Sequence, residues 1–145
     1  MKKNQITSSL FLFYLLFGQA EYNHPEFNWQ TFETDHFKIH FHDGTELSAR
    51  EAASVAETIY GPITNFYDFT PKEKTHIILT DPDDYSNGAA YYYDNKIKIW
   101  ATPLDFELRG SHRWLQNVIT HEFAHIVSLQ KAMKAGSKVP GAYLQ

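Results

Sequence analysis

Residues 121–125 read His-Glu-Phe-Ala-His, inside a stretch with the period of one apolar helix. Two imidazoles four residues apart lie on one helix face, one turn above each other. That spacing lets both rings hold a single zinc ion. It also puts Glu122 directly after the first ligand, within reach of a water held by the metal. The chemistry this implies is hydrolysis by a metal-activated water, with His121 and His125 as metal ligands and Glu122 as the proton-transfer group. No other segment proposes a chemistry this definite.

The surroundings sharpen the motif. Trp114, Leu115, Val118 and Ile119 precede it, and Phe123, Ala124, Ile126, Val127 and Leu129 lie within or after it. Apolar residues on most of the circumference predict a helix buried all round. Burying two His and a Glu without partners is costly, and a metal satisfies all three. The competing reading is a core helix whose His residues are merely hydrogen-bonded.

Other clusters carry less. His36 and His40 share a strand face but lie about 13 Å apart along it, too far for one ion. His40 and His42 are close enough to share a metal, but a solvated strand face explains them better. Asp81 to Gly88 invites a calcium reading, but an EF-hand loop starting at Asp81 requires Gly at position 86 and Glu at position 92, where the chain has Ser86 and Tyr92. Tyr91, Tyr92 and Tyr93 fit a half-buried strand better than a binding platform. No Gly-rich phosphate loop and no Ser or Cys nucleophile signature is present.

The elements that position the motif follow from pattern. His36 to Phe41 alternates as a half-buried strand, ended by Asp43-Gly44. Thr45 to about Phe69 has helical period, with Thr45 as N-cap and Gly61-Pro62 as a kink or interruption. Thr75 to Thr80 is a second, more buried strand. Ala89 to Tyr93 and Lys96 to Ala101 form a hairpin turning at Asp94-Asn95. Ser111 caps the long motif helix and Gly136 stops it. The order strand, helix, strand, hairpin, helix predicts an α+β fold: a small mixed sheet with one backing helix and an active-site helix on the other side.

Composition sets the address. Lys2 and Lys3, the apolar run Leu10 to Phe17 and Gly18-Gln19-Ala20 read as a secretory signal peptide over residues 1–20, too short to span a membrane. Its removal leaves residues 21–145 as one modest domain with no stable transmembrane segment. It also leaves 11 basic residues against 17 acidic ones, a charge of about −6 that gives no support to a nucleic-acid partner. The expected location is exported: periplasm, cell surface or extracellular space. The chain has no Cys, so disulfides and thiolate zinc ligands are excluded.

Val118 to Val127, with uncharged residues around the ligands, resembles the active-site helix of the zincin metallopeptidases. That resemblance implies that His121 and His125 hold Zn2+ and that Glu122 is the general base and acid. In that fold the strand at the sheet edge lies antiparallel to bound substrate. The resemblance gives this place to Lys96 to Ala101, with the backbone of Ile97, Lys98, Ile99 and Trp100 holding a peptide or protein substrate extended. The metzincin pattern needs Gly at position 128 and His at position 131, where the chain has Ser128 and Lys131. Aminopeptidase and thermolysin spacings place a Glu ligand at Leu144 and Gln145. Thr34 to Phe41, Asp84 to Gly88 and Trp114-Leu115 together resemble the peptidase MA-like gluzincins of exported bacterial proteins. There a downstream Glu completes the metal site and a TolB-type β-propeller often follows.

The expectation is therefore the N-terminal part of a zincin-like domain, with the third ligand beyond Gln145. The expected function is zinc-dependent peptide hydrolysis, the 145 residues alone holding zinc weakly and cleaving nothing. The alternative is a non-catalytic scaffold or binding module of a larger envelope protein.

Overall fold

The computed structural model describes residues 24–81, 87–102 and 113–136. In chain order the elements are β1 (Trp29–Glu33), β2 (Phe37–His42), α1 (Glu46–Tyr67), β3 (Thr75–Thr80), β4 (Gly88–Tyr91), β5 (Lys96–Trp100) and α2 (Trp114–Gly136). The strands form one mixed sheet in the order β1-β2-β3-β5-β4. The β2–β3 and β3–β5 pairs are parallel; β1–β2 and β4–β5 are antiparallel. The α+β class and the mixed sheet expected from the sequence are both present. The proposed signal peptide and the cap at Ser111 lie outside the described residues. No helix among the described residues is long and apolar enough to cross a membrane.

Strand alternation places the core. Ile39, Ile77 and Ile97 stand side by side across three strands, as do Leu79 and Ile99 across two, and all are fully buried. The opposite face carries Lys38, His40, His76, Ile78 and Lys98. One face is apolar, and both described helices pack on it. Helix α1 packs on β2, α2 packs on β4 and β5, and the helices pack on each other. The expectation of helices on opposite sides is thereby corrected. Ala49, Ala52, Ala53 and Ala56 are buried on α1, where short side chains permit close approach.

Local chemistry departs from the sequence reading in two places. Thr45 precedes α1 without a side-chain cap; its hydroxyl donates to the His42 carbonyl (2.8 Å) and accepts from the His42 N–H (3.2 Å). It locks the β2–α1 turn instead of the helix. Pro62 lies inside an uninterrupted α1. Two residues on, the Thr64 hydroxyl bonds back to the Tyr60 carbonyl at 2.8 Å. Strand β1 was not expected: Trp-Gln-Thr-Phe-Glu has no apolar alternation, and four of its five residues are exposed.

Candidate metal centre

Helix α2 is amphipathic. Leu115, Val118, Ile119, Phe123, Ile126 and Val127 are buried, whereas Asn117, His121, His125 and Leu129 are exposed. This corrects the expectation of burial all round. The rotation of the helix is set by Phe123, which lies edge-on to Phe37 (5.2 Å) and stacks on Tyr60 (5.7 Å). His121 and His125, two residues to either side of it, project from the opposite face.

The Nε2 atoms of these two imidazoles are 3.0 Å apart, and the rings cross at 83°. Two ligands at ordinary zinc–nitrogen distances in tetrahedral geometry stand about 3.3 Å apart, so a small opening of the pair would accommodate a shared zinc ion. Among the described residues, no group of three or more His, Cys, Asp or Glu side chains is placed to hold one metal.

Glu122 points elsewhere. It is buried at 8% exposure and lies against β4. A Cβ built on Gly88 would stand 3.3 Å from Glu122 Cγ and Oε1 and would overlap Val118 Cγ2. The three motif residues thus divide one helix turn between an open face and the seam under β4.

The seam corrects a sequence expectation. Strand β5 is hydrogen-bonded on both sides, to β3 and to β4, and Ile97 and Ile99 are fully buried. Ile97, Lys98, Ile99 and Trp100 therefore offer no open backbone edge; the edge belongs to β4. The Trp100 N–H donates to the Asn87 carbonyl at 3.0 Å, which fixes the alternation of the antiparallel ladder. Ala89 and Tyr91 spend their backbone groups on β5, while Gly88 and Ala90 turn theirs outward, the Gly88 N–H donating to Asn87 Oδ1 at 2.9 Å.

The remaining histidines have separate partners. The Glu57 carboxylate clamps His36, taking its backbone N–H at 2.9 Å and holding Nδ1 at 2.7 Å, while the ring stacks on Tyr60. Burial pushes the Glu57 carboxyl up, but hydrogen bonds from His36 and Thr34 outweigh it and hold the group below the usual carboxylate range. His40 Nε2 and His76 Nδ1 meet at 2.8 Å in nearly parallel rings, and Thr31 Oγ1 holds His40 Nδ1 at 2.8 Å. Burial, then the charges of His76 and Lys38, hold His40 below its ordinary value. His42 stacks on Phe27 and accepts the Asp81 N–H through Nε2 at 3.3 Å. His40 and His42 thus point to different partners.

Residues outside the motif tie α2 to the sheet. The Trp114 indole donates to the Trp100 carbonyl at 2.8 Å. Gln130 Nε2 donates to the Tyr92 carbonyl (2.9 Å) and to Asn95 Oδ1 (3.1 Å). Asn95 also accepts from the Thr75 hydroxyl and donates to the Glu73 and Lys74 carbonyls. The sequence marked Asn95 as a turn residue, and it does adopt positive φ (49°), but its long-range bonds carry no local signal.

No protein-family model, no curated protein and no solved structure matches this chain, so the geometry alone carries the functional argument.

Proposed function

We propose that this chain carries the metal-binding and proton-transfer part of a zinc-dependent peptidase of zincin type, working on peptide or protein substrates outside the cytoplasm. One observation supports this above the others: the Nε2 atoms of two exposed imidazoles meet at 3.0 Å while the intervening Glu122 is buried against β4, the edge strand among the described residues. A hydrogen-bonded core pair would not place both rings in solvent. His121 and His125 would hold the ion. When bound, zinc supplies Lewis acidity that makes water reactive toward a carbonyl near neutral pH.

The other steps belong to the chain. Glu122 accepts a proton at its carboxylate and returns it to the leaving amine, the role suited to a group shielded from bulk solvent beside the metal ligands. Ala90 presents outward N–H and C=O groups and Gly88 an outward C=O, its N–H being held by Asn87 Oδ1 at 2.9 Å; these outward groups would pair with an extended substrate added at the β4 edge.

Glu122→Gln keeps the shape and removes the base. In the full-length protein, peptide hydrolysis is expected to fall by about 10²-fold or more, in the range for loss of a general base. Undiminished hydrolysis would remove Glu122 from this role.

A further inference from the structure

We infer that Gly88 is a positioning residue: its missing side chain sets where the Glu122 carboxylate lies. The packing part of this inference stands by itself; its catalytic consequence rests on the function proposed above. Gly88 has ordinary strand geometry, without the positive φ found at Gly44, so conformational freedom does not explain a glycine here. Space does. Gly61 and Gly44 have nothing within 4 Å of a built Cβ, whereas at Gly88 the Cβ meets Val118 Cγ2, Glu122 Cγ and Glu122 Oε1. Val118 is buried on the same helix face and cannot turn away freely.

The edge strand and the helix therefore touch backbone to side chain. A methyl group at position 88 would either push β4 away from α2 or drive the Glu122 side chain sideways by a few tenths of an ångström. The first outcome loosens the strand whose outward backbone groups face the substrate. The second moves the carboxylate relative to His121 and His125. Proton transfer is sensitive to displacements of this size.

The test separates packing from position. Gly88→Ala is made alone and together with Val118→Ala, which removes the harder of the two contacts. The Glu122 side chain is then located without metal, in crystal structures of the variants and by its carboxyl carbon-13 resonance at one fixed pH. The double variant should fold like Val118→Ala alone, yet show the Glu122 carboxylate displaced by a few tenths of an ångström and its resonance shifted relative to that single variant. In the full-length protein with a peptide substrate, its kcat should fall about tenfold at little-changed KM. A Glu122 position and resonance identical in the two backgrounds overturn the inference, whether or not the protein cleaves peptides. Absence of hydrolysis in the unaltered full-length protein, with the carboxylate still displaced, overturns the peptidase reading and leaves the positional role standing. Should Gly88→Ala alone fail to fold, the double variant carries the decision.

Discussion

His121 and His125 bring their Nε2 atoms to 3.0 Å across one turn of α2, with crossed rings. The other imidazole pair, His40 and His76, has a shorter contact (2.8 Å) but nearly parallel rings whose centres are 5.0 Å apart. Both contacts are short enough for a shared proton. Exposure separates the pairs: the α2 rings stand in solvent, whereas His40 and His76 are half-buried against the sheet. The proposed metal therefore goes to α2, where both rings are accessible to an ion.

Metal affinity should follow this assignment. His121→Ala or His125→Ala is expected to weaken zinc binding at least tenfold, measured by competition with a chelating dye. Both rings are exposed, so unfolding free energy should change by no more than about 0.5 kcal/mol. His40→Ala should leave zinc affinity alone. Zinc binding that persists in both α2 variants would place the metal elsewhere.

The His40–His76 pair predicts a pH dependence with a definite sign. Protonating both rings sets two N–H groups against each other. The charged groups on that sheet face offer little relief: Lys38 and Lys96 flank His76 in register and Lys98 is opposite Ile78, while Glu33 binds Lys38 and Lys74 and Asp94 binds Lys96. Burial first, and then the charges of His76 and Lys38, make His40 titrate lower in the folded chain than in the unfolded one. The unfolded chain then takes up more protons below the ordinary histidine value of about 6.5, so this contribution is full above that pH and is lost as pH falls through the folded value. The urea midpoint should drop over that window, and His40→Gln should flatten the drop. The Glu57 carboxylate also titrates low, but its contribution is lost only in the more acidic carboxylate range, so the two effects separate. An unchanged slope in His40→Gln would refute the assignment.

How much of this was readable in advance depended on whether the signal was local. Alternation in Thr75 to Thr80 and Lys96 to Trp100 revealed both strands, because burial on one face writes a period-two pattern. The helical spacing of His121 and His125 revealed the candidate site for the same reason. The order of strands was not readable: β5 and β4 form a hairpin, and nothing in either segment says which arm pairs with β3. The assignment of the open edge to β5 failed there, although the full burial of Ile97 and Ile99 follows from the same apolar alternation. Burial around α2 was overestimated because exposed Leu129 and Met133 count as apolar in any periodicity. Gly88 was seen only as part of a loop, since its role depends on a helix thirty residues later.

Asn95 is expected to be the most sensitive polar residue outside the motif. It combines positive φ with four side-chain hydrogen bonds that join the β4–β5 turn to Thr75, to the Glu73 and Lys74 carbonyls and to Gln130 of α2. Asn95→Ala removes all four bonds and adds the left-handed strain of a Cβ without a compensating polar group; together these should cost about 2–4 kcal/mol. Asn95→Gly removes the same bonds but relaxes the backbone, so it should be the milder change by about 1 kcal/mol. Denaturant unfolding of the two variants separates the terms. Equal losses would show that strain contributes nothing, and losses below about 0.5 kcal/mol in both would show that the bonds contribute nothing. Because Gln130 lies on the helix that bears His121 and His125, Asn95→Ala should also weaken zinc binding, whereas a purely local turn defect would leave it intact.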